Sequence, residues 1–334
     1  MAVAVITGPE LVAGLRTTFR STYDQYYKGI LDKLSPIIED VPSDKRVEIY
    51  AYQTAAAVVR RWPRNEDVRF EGFDSVGFSI ENLNWGGGVD WHEDDRADDL
   101  LKNLYDRARQ TGETLAQLPE RIAFQFLGGS ADPDLYPKVP NCPDGAALSS
   151  TTDGGSANRF GATNGNQLTA TGTDTTSIRI DYFKVYAQFK AFLNTKNQPL
   201  HDLGVIDGGM AIYYPSTMER VFLEAFVQKR TLQIVQNAAA TDNVGGAAVT
   251  QLVQDAQHSV DLVGTIRLSG TSWWAALKRS PVKPIIRQKR QAPSEAFATV
   301  ENSDVARLSG KEYVRWKARE GYGTNLPFGL IKVV

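Results

Sequence analysis

The chain has 334 residues, with 37 Lys and Arg against 39 Asp and Glu, a formal net charge of -2 and a pI near 6.0. That balance excludes a surface built to grip nucleic acid through its phosphates, while 42% hydrophobic and 23% charged residues describe a globular chain with material for one large or two smaller cores. The single cysteine, Cys142, excludes an intrachain disulfide and, in a Pro-rich loop, reads as an incidental thiol of a reducing compartment. The apolar run Ala2 to Ile6 is too short for a signal peptide, and no window approaches the roughly eighteen apolar residues of a membrane span.

Thr7-Gly8-Pro9-Glu10 is a helix start, followed by Leu11, Leu15 and Phe19 at four-residue steps. Tyr23, Tyr26 and Tyr27 come next, then Ile30, Leu31 and Leu34 before Pro36; the segment reads as an arm of modest helix, sticky on one side. Val47 to Trp62 alternates weakly and leads into Arg60-Arg61-Trp62-Pro63-Arg64. From Val68 to Trp91 the β-formers Val68, Phe70, Phe73, Val76, Phe78, Ile80 and Leu83 are interrupted by Gly72, Gly77 and Gly86 to Gly88. Two strands there predict a long hairpin over Arg64 to Val89, too thin to bury both of its faces. Phe70, Phe73, Phe78 and Ile80 therefore predict packing on another subunit, with Arg64, Arg69, Asp67 and Glu71 as the ion-pairing residues of the same contact.

Glu93 to Leu127 is the beam on which the rest is laid. Ala97, Leu100, Leu101, Leu104, Ala108, Thr111, Leu115, Leu118, Ile122 and Phe126 recur at the period of one helix face. Asp94 or Asp95 is the expected N-cap, Gly112 and Pro119 predict a kink or break between Thr111 and Pro119, and Gly128-Gly129 ends the helix. Ser130 to Thr176 is then a long loop rich in Pro, Gly, Asn, Thr and Ser. Asp174 to Thr176 caps a predicted helix from Ser177 to about Asn194, Gly204 to Tyr214 is a strand, and Ser216 to Glu219 is a capping box opening a helix to about Arg230. Predicted strands follow at Val260 to Leu268, with a bulge at Gly264, and at Ser272 to Leu277, Ile285 to Gln291, Glu312 to Glu320 and Pro327 to Val333. Arg315, Lys317 and Arg319 alternate with Val314, Trp316 and Ala318, so one face of that strand is basic and wet and the other apolar.

Catalytic chemistry is hard to assemble from these residues. His92, Glu93, Asp94 and Asp95, with Asp98 and Asp99 beyond, form the best metal candidate, yet no second histidine lies near, and acids suit a helix N-terminus. His201 and His258 are isolated and read as loop or surface histidines. Gly86-Gly87-Gly88 lacks the Lys-Ser/Thr of a phosphate loop, and Gly204 to Gly209 has no dinucleotide pattern. Arg60, Arg61 and Arg64 around Trp62 sit beside Glu66, Asp67 and Glu71, which favours an ion-paired protein contact over DNA. The expectation is a structural protein, not an enzyme, with no cofactor and no metal.

The order of elements, together with Leu118-Pro119-Glu120-Arg121-Ile122, Asn141-Cys142-Pro143-Asp144-Gly145, Lys283-Pro284-Ile285-Ile286-Arg287-Gln288 and Trp316-Lys317-Ala318-Arg319-Glu320-Gly321-Tyr322-Gly323, resembles the major capsid proteins of tailed phages, the Hong Kong 97-like α+β fold, and within it the Mu-like major head subunit family. Ala146, Ala147 and Leu148 stand where that family tends to carry an aromatic and a histidine. The resemblance implies an N-terminal arm and lead-in over 1–63, an extended β-hairpin loop over 64–92, a peripheral domain with spine helix and long loop over 93–176, an axial domain over 177–270, and a return to the peripheral sheet over 271–334. It implies hexamers and pentamers closing into an icosahedral virion shell around double-stranded DNA, assembled in the host bacterial cytoplasm. Its implied partners are a separate scaffolding protein, a portal protein and decoration proteins, with no membrane and no sequence-specific DNA binding. The alternative is an encapsulin-like nanocompartment around protein cargo. Two further expectations are an arm retained rather than cleaved, and a shell without covalent cross-links: no lysine lies between Lys45 and Lys102, and arginine cannot supply the amine.

Overall fold

A computed structural model describes residues 8–53, 75–97, 101–155, 157–194, 197–226 and 259–334. In chain order it has α1 (Gly8–Leu34), β1 (Ile38–Pro42), β2 (Val47–Gln53), β3 (Ser75–Glu81), β4 (Leu83–His92), α2 (Glu93–Ala97), α3 (Leu101–Ala116), α4 (Leu118–Gly128), β5 (Gln167–Leu168) and α5 (Thr175–Ala191). There follow α6 (Leu203–Ile206), β6 (Met210–Pro215), α7 (Glu219–Phe226), β7 (Val260–Thr265), β8 (Trp273–Leu277), β9 (Ile285–Ala298), α8 (Asp304–Ser309), β10 (Lys311–Thr324) and β11 (Leu330–Val333).

Three layers of core follow from side-chain alternation. In the four-stranded sheet β1-β9-β10-β4, Val89, Trp91, Val314 and Trp316 point to one face and bury Leu11, Val12, Leu15 and Phe19 of α1 with Leu104 and Ala108 of α3. The five-stranded sheet β5-β11-β8-β6-β7 is covered on both sides. Tyr213, Trp274, Ala276 and Leu330 face α4 and the long loop, whereas Ile212, Tyr214, Trp273, Ala275, Ile331 and Val333 face α5 and α7. Sheet membership thus cuts across the boundary expected at residue 270, because β8 and β11 pair with each other and with β6 and β5.

The beam breaks where the sequence places the break. Helix α3 ends at Ala116, α4 restarts at Leu118 with Pro119 in its first turn, and Gly129, at φ 70°, closes it by donating its N–H to the carbonyls of Gln125 and Phe126. Gly112 causes no break. It lets α1 come close: a Cβ there would lie 2.9 Å from the carbonyl oxygen of Phe19.

Several sequence readings differ from the structure, among them the strand expected from Gly204, which starts only at Met210 after the short helix α6. The arm is a 27-residue helix whose Phe19 ring stacks on Trp316, centroids 4.4 Å apart, with Tyr23 and Tyr27 continuing the ladder. The hairpin is formed by β2 with β3, Val47 opposite Glu81, while β4 pairs with β10, His92 opposite Lys311. Ser216 opens one turn of 3-10 helix after Pro215 and makes no cap bond, so the Ser-Glu capping box is not used. Strand β7 runs in unbroken parallel register with β6, and Gly264 marks the close approach of the Tyr214 ring, not a bulge.

Two buried polar clusters tie the layers together. Arg287, 1% exposed, donates from Nε to Glu320 (2.9 Å) and also meets the Tyr27 hydroxyl, while Tyr322 Oη donates to Glu320 (2.7 Å) and Asp40 lies 3.6 Å from the guanidinium. Burial first, and then the charge of Glu320, raise the Tyr322 pKa well above the ordinary phenol value, keeping it a donor. Arg159, also 1% exposed, donates to both carboxylate oxygens of Asp144 (2.8 and 3.1 Å), to the carbonyl of Ala147 (2.7 Å) and to Asn166 Oδ1 (3.0 Å).

Candidate subunit-contact surfaces

The base of the β2–β3 hairpin is fixed by its own polar residues. Asn82 Nδ2 donates to Ser43 Oγ (2.7 Å) and to the Lys45 carbonyl (2.8 Å), and the Glu48 carboxylate accepts from the amides of Lys45 and Asp44 and from Ser43 Oγ. These bonds, the Lys45 amide foremost, hold the Glu48 pKa below the usual carboxylate range. Strand alternation then sorts the side chains. Tyr50, Phe78 and Ile80 face the body: Tyr50 stacks on Phe78 at 5.4 Å and accepts from Gln288 Nε2 at 2.9 Å, and Ile80 fills the space that Gly323 leaves open. Val47 and Ile49 face outward beside Ala51, Gly77 and Ser79, and Ile49 is 81% exposed.

Of the residues expected at the contact, Ile80 is buried in its own chain and Phe78 is half-buried against Tyr50, so neither offers a free apolar face. Arg64, Asp67, Arg69, Phe70, Glu71 and Phe73 lie outside the described residues. The exposed apolar residues of the described hairpin are instead Val47 and Ile49. Their signal was the alternation Val47, Ile49, Ala51, which marks one face without telling which one is wet. Elsewhere Ile266, Val305 and Leu308 stand out at 85%, 74% and 89% exposure, on the turn after β7 and on α8.

The groups considered for chemistry have structural partners. His92 Nδ1 lies 3.1 Å from Asp94, and Asp95 accepts from the His92 amide at 3.0 Å, the N3-to-cap bond of a helix start. Neither Asp94 nor Asp95 is itself the cap; α2 begins at Glu93. His201 is a core residue, not a surface one: its Nε2 is 2.7 Å from the Phe328 carbonyl, and burial lowers its pKa. His258 lies outside the described residues. Cys142 is buried, and burial pushes its thiol up to about 11, far from a reactive thiolate. Among the described residues no helix is long and apolar enough to cross a membrane.

Residues 12–151 match the sequence model of the family described as Mu-like prophage major head subunit gpT. No curated protein matches the chain in sequence. Among solved structures it is similar to the capsid of cyanophage P-SCSP1u (12% identity, TM-score 0.52, covering 89% of this chain and 85% of that one) and to a chain of Mycobacterium phage Patience (11%, 0.51, 99% and 90%). The mature capsid of bacteriophage PhiM1 is a third (11%, 0.50, 89% and 84%). At such identities the structures establish the fold. A hairpin projecting from a layered body, a broken spine helix and contact-ready apolar residues on separate faces suit a protein whose work is to touch copies of itself. Over residues 12–151 the chain is thus similar to the Mu-like gpT major head subunits, and as a whole it has the Hong Kong 97-like fold of tailed-phage capsid proteins.

Proposed function

We propose that hexamers and pentamers of this subunit close into an icosahedral shell around double-stranded DNA, with a separate scaffolding protein guiding closure, a portal protein at one vertex, and decoration proteins added to the finished lattice. The near-neutral charge supports enclosure without sequence-specific binding. In this reading residues 1–63 are arm and lead-in, 64–92 the extended loop, 93–176 the peripheral domain, 177–270 the axial domain, and 271–334 the return, whose β8 and β11 complete the sheet of β6 and β7. The β2–β3 pairing supports an extended loop that begins near Val47, ahead of the Arg64 boundary. The arm stays on the subunit, since losing α1 would unroof Trp316 and Val314.

The observation that carries the proposal is the outward row of the hairpin, where Ile49 stands 81% exposed on a strand pinned to the body by Tyr50 and Asn82. A neighbour covers it. Ile49→Asp is expected to leave the subunit stable to within about 0.5 kcal/mol, as for surface changes generally, and to abolish closed shells. Electron microscopy of the variant beside its melting curve checks this; normal shells would count against the contact. Deletion of residues 64–74 is expected to act in the same way, giving folded subunits that do not close.

The shell holds without covalent links. Boiled, reduced particles are expected to run as one band near 36.8 kDa, and a ladder of dimers to hexamers would refute this.

A further inference from the structure

A groove of about 630 Å³ opens between the last turns of α4, the start of the long loop and the turn that joins β7 to β8. A second hollow, of about 300 Å³, adjoins it under the same loop, and the two share Trp274 and Lys332. Strand alternation brings Lys332 to this shared wall: on β11 it lies on the same face as Leu330, directly opposite Trp274 of β8, with Nζ 5.5 Å from the indole centroid. Three further basic side chains line the walls, Arg121 and Arg267 in the larger groove and Lys138 in the smaller, against the one carboxylate of Asp132 among the described residues. Arg267 is engaged by Glu120 and Gln117, at 3.1 Å each, and Asp132 accepts from the Asp134 amide at 3.0 Å. Arg121 and Lys332 have no ion-pair or side-chain hydrogen-bond partner among the described residues. An anion entering the groove therefore meets a free guanidinium and a free amine.

The other partly covered lysines are tied. Lys184 and Lys278 are ion-paired with Asp181 (3.0 Å) and Asp261 (2.7 Å), and Lys283 donates to the Lys278 carbonyl at 2.9 Å. Burial with no carboxylate to offset it lowers the Lys332 pKa and so raises the share of neutral amine, the nucleophilic form. Burial lowers Lys283 as well, but there the charge of Glu39 opposes it and the amine is already bonded.

We propose that this groove is an anion-binding site that makes Lys332 the preferred point of acylation of the chain by acyl phosphates, the guanidiniums of Arg121 and Arg267 receiving the phosphate and the Lys332 amine taking the acyl group. One proton leaves the ammonium to free its lone pair. The nitrogen attacks the acyl carbon, the C–N bond forms as the C–O bond to phosphate breaks, inorganic phosphate leaves with the bonding pair, and a second proton passes to water as the amide forms. The product amide removes the positive charge beside Trp274. The site belongs to the single subunit and does not depend on the hairpin contact.

The test incubates the unassembled full-length subunit with acetyl phosphate and follows the acetylation of each lysine by mass spectrometry. Lys332 is expected to react at least fivefold faster than Lys283 and than the exposed Lys102; a rate no higher than either would overturn the proposal. The N-hydroxysuccinimide ester of acetic acid, an uncharged donor, separates an anion site from an amine that is reactive by burial alone. With it the preference for Lys332 over Lys283 should fall at least threefold, and an unchanged preference overturns the proposal. Arg121→Gln, at a half-exposed position, should slow acetylation of Lys332 by acetyl phosphate at least threefold and leave Lys283 as it was. An equal fall at both lysines, or at neither, overturns the proposal.

Discussion

Replacing Arg287 with alanine is expected to destabilise the subunit by about 3–5 kcal/mol, the cost of leaving a buried charge without its partner. Glu320 is 5% exposed and receives its compensation from Arg287 and from the Tyr322 hydroxyl. With the guanidinium gone, the carboxylate keeps one donor, and Asp40 and the Tyr27 hydroxyl each lose a partner. The same site ends the aromatic ladder from Trp316 through Phe19, Tyr23 and Tyr27, whose last ring lies 5.1 Å from the Arg287 carbon. Arg287 therefore joins α1, β1, β9 and β10, and the next residue, Gln288, holds the hairpin through Tyr50. Urea unfolding of the unassembled subunit measures the loss. Arg287→Met combined with Glu320→Leu, which removes both charges, should recover much of it. A single variant within about 1 kcal/mol of wild type would show that water reaches the carboxylate and replaces the lost bonds.

The parts of the fold legible in the sequence are those set by local chemistry. Pro119 and Gly129 fix where the spine breaks and stops, and Asp174 caps α5 by accepting from the amides of Thr176 and Ser177, as its position before an apolar run implies. The basic row on β10 was visible as plain alternation. What was not legible depends on partners far away in sequence. Residues 47–53 and 83–92 are both β-formers near residues 75–81, and only β10, more than two hundred residues later, takes β4 out of the hairpin. Helix α1 buries a narrow stripe, Leu11, Leu15 and Phe19, while its second half carries tyrosines that a sequence reading cannot tell from a sticky arm; Trp316 and Arg287 decide their role. The residues expected at the contact follow the same rule where they are described: Phe78 and Ile80 pack within the subunit, and the most exposed apolar residue of the described hairpin is Ile49. His201 looked like a loop histidine because nothing local marks the Phe328 carbonyl as its partner.

Arg159→Ala is expected to unfasten the long loop between the spine and α5. Asp144, in the Asn-Cys-Pro-Asp-Gly turn, and Arg159 are fifteen residues apart in sequence. Their forked pair, with the donations to Ala147 and Asn166, draws Asp144, Ala147, Arg159 and Asn166 into one cluster, in which Asn166 Nδ2 also donates to the carbonyls of Leu148 and Leu330. Because Leu330 lies on β11, the loop is fastened to the five-stranded sheet and carries Cys142, Leu135 and Leu148 into the core under α4. Truncation at Arg159 leaves the buried acceptors Asn166 Oδ1 and the Ala147 carbonyl short of donors and removes the partner of Asp144. At ~1–3 kcal/mol for each unsatisfied group, the total is about 3–5 kcal/mol when part of the site relaxes around water. The local consequence is sharper than the global one: limited proteolysis of the variant should cut between Asp144 and Asn166 at least tenfold faster than wild type, with Cys142 becoming reactive to a thiol reagent in the same preparation. Arg159→Lys keeps the charge and loses the fork, so it should fall between the two. If Cys142 stays protected in Arg159→Ala, the loop is held by its apolar residues alone, and the guanidinium is not its fastening.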